Sequence, residues 1–169
     1  MSRAFVRESD ADGDDELPER PVPAHANYVT ARGLAQLQGR VRDLAACCEA
    51  LRPVAAEDSG ARHNLRALER DLRYFSAQLE RAELVAAAPQ HDTVHFGARV
   101  TVCDDEGTQQ QVHIVGDDEA DAAAGEISWA SPLARALIGA REGDTVTWRR
   151  PAGAVQIEIV AVDYTPPQS

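Results

Sequence analysis

Two stretches of the chain decide its fold: LAQLQGRVRDLAACCEAL at residues 34–51 and LRALERDLRYFSAQLERA at residues 65–82. In both, apolar residues recur at intervals of three and four, the spacing of the a and d positions of a coiled coil. Pro53 and Gly60, between the stretches, oppose a continuous helix. The sequence therefore predicts an antiparallel helical hairpin spanning roughly Thr30 to Ala86. Its two seams are Leu34, Leu37, Val41, Leu44, Cys48 and Leu51, facing Leu65, Leu68, Leu72, Phe75, Leu79 and Ala82.

The register of the hairpin follows from pairing these residues from the two ends inward. Leu34 falls opposite Ala82 and Leu51 opposite Leu65, which places the centre of the turn at Asp58. About 24 residues per helix, at ~1.5 Å per residue, give an arm roughly 36 Å long. A narrow apolar seam leaves a polar outer surface and favours an arm that projects from a body. The alternative is a helical pair packed on the C-terminal domain.

From Asp92 onward the apolar period changes to two. Alternation from Val94 to Val102 predicts a half-buried strand, and Ser131 and Pro132 predict the N-cap and first residue of a short helix. Further short strands are predicted at 112–116, 126–129, 145–149 and 155–164. The expected fold class is α+β: a helical hairpin followed by an antiparallel sheet with one short helix.

The first residues have a different composition. Residues 8–20, ESDADGDDELPER, hold almost nothing apolar and cannot offset the entropy of ordering, so they are expected to be disordered. Three regions result: a disordered acidic segment at 1–27, the coiled-coil hairpin at 28–88 and the C-terminal domain at 89–169.

Charge and composition exclude several classes of protein. The net charge is −11, and the C-terminal part from Pro89 carries 13 acidic residues against 5 arginines. Sequence-specific DNA binding there would work against Coulomb repulsion. Neither a membrane-spanning run nor a signal peptide is found, and the odd number of cysteines, 3, indicates reduced thiols. We expect a cytoplasmic protein without a cofactor or metal site of its own.

Six short motifs lie between Tyr28 and Tyr164. They are YVTARGLAQL from Tyr28, RYFSAQLERAELV from Arg73, FGARVTV from Phe96, IVGDDEAD from Ile114, ISWASPLARALIGAREGD from Ile127 and PAG from Pro151. Together they resemble the GreA/GreB family of bacterial transcription elongation factors.

The resemblance implies a fold, a partner and an activity. It implies an FKBP-like C-terminal domain that docks on RNA polymerase at the rim of the secondary channel, and a coiled coil that enters the channel. Two acids at the tip of the coil would help to hold a catalytic Mg²⁺, with which the polymerase hydrolyses backtracked RNA. The protein itself would not be an enzyme, and its contact with nascent RNA would be indirect.

The tip departs from the family pattern, which is Gly-Asp-x-x-Glu-Asn. Glu57 and Asp58 are the candidate tip acids, but Ala61 stands where the family has Glu. The coil is also about two turns shorter per helix, so a carboxylate on it would stop roughly 10 Å short of the same ion. These departures favour a polymerase-binding regulator with weak or no stimulation of RNA cleavage. The alternative is a true cleavage factor that lends its tip carboxylates to Mg²⁺.

The resemblance also implies the residues that dock on polymerase. They are Ser131 and Pro132, with the acidic loop formed by Asp117, Asp118 and Glu119. Ala130 precedes the Ser-Pro pair where the family usually has an acid. Two simpler interpretations stay open, since Ser131 and Pro132 suffice as a helix cap and consecutive acids are often a solvated loop. A more distant functional alternative is a generic binding module with a chaperone-like fold.

Overall fold

The computed structural model describes residues 17–86 and 92–165. Its helices are α1 (Ala31–Ala55), α2 (Ser59–Glu80) and α3 (Pro132–Leu137). Its strands are β1 (Asn27–Val29), β2 (Ala82–Leu84), β3 (Arg99–Asp104), β4 (Gln109–Val115), β5 (Glu126–Ser128), β6 (Thr145–Arg150) and β7 (Gly153–Asp163). Two single 3₁₀ turns, Asp117–Glu119 and Ala122–Ala124, separate β4 from β5. The α+β class expected from the sequence is confirmed.

The two long helices, here called the helix pair, are joined by residues 56–58. The connection is shorter than the interval from Pro53 to Asn64 in which the turn was expected. Pro53 lies inside the last turn of α1, which ends at Ala55. Proline lacks a backbone N–H and clashes with the preceding turn, but few helical residues follow it here, so the helix loses little. Several members of the predicted seams pack together near the open end of the pair, in a cluster formed by Val29, Leu34, Leu37, Val41, Leu44, Tyr74, Phe75, Leu79 and Ala82.

The open end of the helix pair is held by two short strands that the sequence analysis did not predict. β1 precedes α1, β2 follows α2, and the two pair in parallel with Asn27 opposite Ala82 and Val29 opposite Leu84. The expectation that helix continues to Ala86 is therefore wrong. Helix α2 ends at Glu80 because the chain after Arg81 takes its hydrogen bonds from β1 instead. We call this end of the pair its base.

The C-terminal domain is a five-stranded sheet in the order β5-β4-β3-β7-β6. The expected purely antiparallel sheet is wrong, because β5 pairs in parallel with β4. A parallel neighbour requires the chain to cross back between the strands, and the two 3₁₀ turns make that crossing. Helix α3 packs on the sheet through Leu133, Ala134 and Leu137.

The first predicted strand of this domain starts later than the alternating pattern suggested. Val94 and Ala98 are buried as that pattern requires, but β3 begins only at Arg99. Gly97 has a φ of 86°, a left-handed conformation that turns the chain before the strand. Burial thus follows the sequence pattern even where the backbone is not a strand.

The segment that precedes β1 lies against α2. Residues 17–26, which belong to the segment expected to be disordered, have no regular secondary structure. Arg81 donates a hydrogen bond to the carbonyl of His25, and the guanidinium of Arg20 stacks 3.9 Å from the centre of the Tyr74 ring. The expectation for residues 1–16 lies outside the described residues.

Within residues 17–86 and 92–165, none of the helices is long and apolar enough to span a membrane.

Candidate functional site

The predicted site residues fall into two groups at opposite ends of the helix pair. Glu57 and Asp58 lie in the loop between α1 and α2. The acidic loop, Asp117 to Glu119, lies at the base, where the C-terminal domain meets the helices. The candidate tip acids and the candidate docking residues therefore lie at opposite ends of the helix pair, a helix length apart.

At the tip, the Asp58 carboxylate is the N-cap of α2. Its Oδ1 accepts hydrogen bonds from the backbone N–H groups of Gly60, at 2.7 Å, and Ala61, at 3.3 Å. These are two of the donors that the first turn of a helix leaves unpaired. A metal ion bound to Oδ1 would compete with this cap. One of the two candidate tip acids therefore already has a structural role.

The position three residues after Asp58 also matters at the tip. Ala61 is only 8% exposed, while Glu57 and Asp58 are both exposed. The Ala61 methyl group faces inward in the first turn of α2, and the guanidinium Nε of Arg62 donates to the carbonyl of Ala55 across the loop, at 3.3 Å. Position 61 therefore supplies no second carboxylate, and its side chain is buried. Among the described residues, no group of three or more His, Cys, Asp or Glu side chains is arranged to hold a metal ion.

At the base, Glu119 connects the C-terminal domain to the start of α1. Its carboxylate is 3% exposed and accepts from the backbone N–H of Thr30, at 2.9 Å, and from the Thr30 hydroxyl, at 2.5 Å. It also accepts from the backbone N–H of Gly116, at 3.3 Å. The Glu119 carboxylate thus satisfies donors at the N-terminus of α1, where a negative charge is favourable.

Two glycines make room for this carboxylate. A Cβ placed on Gly33 would lie 2.1 Å from the Glu119 carboxyl carbon, and one on Gly116 would lie 2.6 Å from the carbonyl oxygen of Tyr28. Neither separation is compatible with a side chain in this arrangement. We call Thr30, Gly33, Gly116 and Glu119 the base latch.

The other two acids of the loop are also bonded within the chain. Asp118 accepts from the Tyr74 hydroxyl, at 3.1 Å, and from the Gln78 amide, at 2.9 Å. Burial, followed by the nearby Asp118 charge, raises the pKa of Tyr74 to about 12, so its hydroxyl remains a donor. Asp117 contacts His25 Nε2, at 2.5 Å, and accepts from the Ser128 hydroxyl.

Ser131 and Pro132 lie beside a groove of about 400 Å³. Ser131 is the N-cap of α3, as predicted, and accepts from the Ala134 N–H at 3.2 Å, while Pro132 occupies the first turn and is exposed. The groove is lined mainly by apolar side chains, together with two arginines; the residues that form it include Val112, Ile127, Leu133, Trp148, Arg149 and Arg150.

The groove and the acidic loop are connected through β5. The Ser128 hydroxyl donates to Asp117 and accepts from the backbone N–H of Ala130, at 3.0 Å, one residue before Ser131. The predicted docking residues thus form one continuous region of the domain, in which Asp118 is exposed, Asp117 is half-buried and Glu119 is buried.

The base latch and the aromatic contacts beside it were not predicted from the sequence. The Tyr28 ring packs against Trp129 and Phe96, with ring centres 4.8 Å and 6.1 Å away, and His25 packs edge-on to Trp129 at 5.4 Å. A glycine in the first turn of a long helix, Gly33, was the signal for close approach of another group, because glycine weakens a helix without such a reason. The identity of that group was not visible in the sequence.

Known proteins that are similar to this chain identify its family. The family described as "Transcription elongation factor, GreA/GreB, C-term" matches residues 89–164. Transcription elongation factor GreB of Neisseria meningitidis serogroup B is 45% identical over 105 residues, which cover 61% of this chain and 64% of that protein. The match therefore spans just under two thirds of that relative's length.

Another relative matches over a longer stretch. Transcription elongation factor GreA of Xylella fastidiosa (strain M12) is 40% identical over 155 residues, 89% of this chain and 90% of that protein. A solved structure of GreA/GreB from Nitrosomonas europaea aligns over 82% of this chain and 99% of its own, with 22% identity and a TM-score of 0.40. The family match and the extended identity to GreA confirm the resemblance noted in the sequence, and the chain belongs to the GreA/GreB family of transcription elongation factors.

Proposed function

We propose that this protein is a Gre-type regulator that binds bacterial RNA polymerase and stimulates RNA cleavage weakly or not at all. In this proposal the C-terminal domain, an FKBP-like module, docks at the rim of the secondary channel and the helix pair enters the channel. The protein is not itself an enzyme, and any contact with nascent RNA is indirect. Family membership supports the partner, and the tip supports the weak cleavage.

The capping role of Asp58 carries the second part of the proposal. A carboxylate that helps to hold a catalytic Mg²⁺ must present a free oxygen about 2.1 Å from the ion. The Asp58 Oδ1 atom is instead bonded to two backbone N–H groups of α2. Glu57 is the remaining tip acid, and the buried Ala61 offers no third oxygen. The tip is therefore suited to occupy a channel more than to complete a metal site.

A second candidate function is that of a true cleavage factor. Asp58 Oδ2 and the exposed Glu57 carboxylate leave oxygens with which the tip could still assist Mg²⁺ in the polymerase. The two proposals differ in one measurable quantity, the rate of cleavage of a backtracked transcript.

The experiment compares cleavage by a stalled, backtracked RNA polymerase complex with and without the protein. A GreB protein serves as the positive control, and binding to polymerase is measured in parallel. We expect retained binding with at most a few per cent of the GreB stimulation. Strong stimulation that disappears in both Glu57→Gln and Asp58→Asn would instead establish the cleavage factor.

The Asp58→Asn variant makes this test specific for charge. Asn is as good an N-cap as Asp, so the substitution removes the carboxylate and keeps the start of α2. A change in cleavage then reports the lost charge, whereas Asp58→Ala would also loosen the tip.

For docking, we propose the region that contains Ser131, Pro132 and the acidic loop. Pro132 is exposed beside the groove, and an Arg at this position would place a bulky charge at its edge. We expect Pro132→Arg and Asp118→Arg to weaken binding to polymerase by at least about tenfold, the effect of ~1.4 kcal/mol. Glu158→Arg, at an exposed site on β7, is the matched control and should bind as the unaltered chain does. Unchanged binding by both test variants would refute this docking surface.

A further inference from the structure

The groove of about 400 Å³ lies between the two edge strands of the C-terminal sheet. Ile127 of β5 and Trp148 of β6 both line it, although β5 and β6 stand at opposite ends of the strand order. Val112 and Leu133 are each 6% exposed, whereas Ile127 and Trp148 are half-buried. The groove thus has an apolar surface that the chain covers only in part, and its volume is in the range of pockets that bind a ligand.

The charge of the groove is opposite to that of the domain around it. From Pro89 onward the chain carries 13 acidic residues against 5 arginines. Two of these five, Arg149 and Arg150, line the groove, and neither Asp nor Glu is among its described lining residues. Both arginines are exposed. A positive site on an acidic domain attracts acidic groups to that site, while the rest of the domain repels them.

Within the described part of the chain, neither arginine forms an ion pair with a carboxylate. The guanidinium carbon of Arg150 lies 5.2 Å from the centre of the Trp148 ring, a cation–π contact that uses none of the N–H donors. Arg150 also lines a cavity of about 300 Å³ together with the acids at 104–106, so part of its charge is offset. Arg149 does not line that cavity and is the more available of the two.

We propose that Arg149 and Arg150 determine which segment of RNA polymerase docks in the groove: a segment that presents apolar side chains to Leu133 and Trp148 and carboxylates to the two guanidiniums. This inference rests on the proposed function, because it names the chemistry of the partner at that docking surface. A guanidinium presents paired N–H donors that match the two oxygens of a carboxylate. Burial in the groove supplies affinity, and the two charges select the partner and its orientation.

The surroundings of the groove favour a protein segment over a nucleic acid. A nucleic acid carries a phosphate at every nucleotide and would extend past the groove over the acidic surface around it, where it is repelled. A short protein segment can confine its carboxylates to the two arginines. Its apolar side chains also match the lining of the groove, which offers nothing to a phosphate beyond the arginines.

The first test measures the affinity of the full chain for core RNA polymerase at about 0.1 M and about 0.5 M salt. We expect Arg149→Glu to weaken binding by at least about tenfold at the lower salt and much less at the higher, where the screening length is ~4 Å. Arg149→Lys keeps the positive charge and should retain most of the affinity. Arg141→Glu, at an exposed arginine outside the groove, is the matched control and should bind as the unaltered chain does.

The outcomes of this test separate the inference from the proposed function. If the unaltered chain does not bind polymerase, the proposed function fails and the inference fails with it. If the unaltered chain binds, and Arg149→Glu binds equally well or more tightly, only the inference is overturned, because the partner is then not acidic at this position. Urea denaturation of each variant checks that folding is unchanged, as expected for an exposed side chain.

The second test identifies the partner group directly by chemical cross-linking. The chain contains no lysine, so Arg149→Lys introduces a single side-chain amine. A carbodiimide joins this amine to a carboxylate that touches it, through an amide bond without a spacer. We expect mass spectrometry of the complex to find residue 149 joined to an Asp or Glu of polymerase, and the product to disappear in about 0.5 M salt.

The matched control for cross-linking is Arg141→Lys, which also introduces a single amine at an exposed position. It should give little or no cross-linked product with polymerase. Equal amounts of product from the two variants would overturn the proposal. A complex that forms with Arg149→Lys and gives no product at residue 149 would overturn it as well.

Discussion

Single carboxylates hold both ends of the helix pair, and each completes the start of one helix. Asp58 caps α2 from within the tip loop, whereas Glu119 reaches the start of α1 from the C-terminal domain. Their surroundings differ: Asp58 is exposed, and the Glu119 side chain is 3% exposed. Removing them should therefore have different costs.

Replacing Asp58 with Ala should lower the free energy of unfolding by about 1 kcal/mol, because the Gly60 and Ala61 N–H groups lose their acceptor. Urea denaturation measures this change. Asp58→Asn keeps a side-chain acceptor and should stay close to the unaltered chain. Equal losses in both variants would show that the charge, and not the cap, stabilises the tip.

Replacing Glu119 with Ala should cost more, roughly 2–3 kcal/mol, because donors of the half-buried Thr30 and the buried Gly116 are left without a partner. Gly33→Ala should also destabilise the chain, since the new methyl group collides with the Glu119 carboxyl.

The two substitutions should not be additive. In the Glu119→Ala background the space beside Gly33 is open, so Gly33→Ala should become nearly neutral or stabilising. A double-mutant cycle by urea denaturation measures the coupling. A cost for Gly33→Ala that is the same in both backgrounds would contradict the contact.

At the scale of elements, the helices were the most predictable part of the fold. A three-four period over 18 residues specifies a helix and its apolar face together. Short elements depend instead on distant partners. Strands β1 and β2 have three residues each and exist because they pair with each other, and β5 is parallel because of the crossing after β4. No local period encodes such pairings.

The packing of the helix pair predicts the effect of a charge in its seam. Leu44 packs against the cluster that contains Leu37 and Phe75. Leu44→Asp would place an unpaired carboxylate there, and we expect a loss of about 3 kcal/mol with a reduced helical signal in circular dichroism. Ala46→Asp, at an exposed position of the same helix, is the control and should retain the signal. An unchanged spectrum for Leu44→Asp would contradict the predicted seam.

At the scale of the whole molecule, the relation between the domain and the helix pair was the least predictable feature. The family resemblance predicts that Asp117, Asp118 and Glu119 lie on a docking surface. Their bonds to His25, Tyr74 and Thr30 were visible only in the structure. Contacts between residues far apart in the sequence leave no regular spacing from which they could be predicted. The tip was more predictable, because Glu57 and Asp58 lie in a loop whose position follows from the two helices that flank it.

Global stability should depend on pH through His113. Burial, followed by the charge of Arg99, lowers the pKa of His113, and Glu126 and Arg32 also face it. The folded state therefore binds a proton less readily than the unfolded state, whose His titrates near pH 6.5. The stabilising contribution is complete above about pH 6.5 and is lost as the pH falls through the lowered pKa of the folded state.

We expect the free energy of unfolding to be smaller at pH 5.5 than at pH 7.5, as measured by urea denaturation at both values. His113→Gln should reduce this difference, because the group that titrates is removed. His63→Gln, at an exposed site on α2, is the matched control and should leave the difference in place. A pH dependence that is identical in all three chains would exclude His113 as its source.

The base latch also makes the helix pair a lever. Helix α1 has 25 residues, and at ~1.5 Å per residue its far end lies about 37 Å from Thr30. A rotation of only about 5° at the latch would sweep the tip sideways by roughly 3 Å over that length. The direction of the helix pair therefore depends on the close packing between Gly33 and Glu119. Substitutions at these two positions could redirect the tip without altering a residue on it.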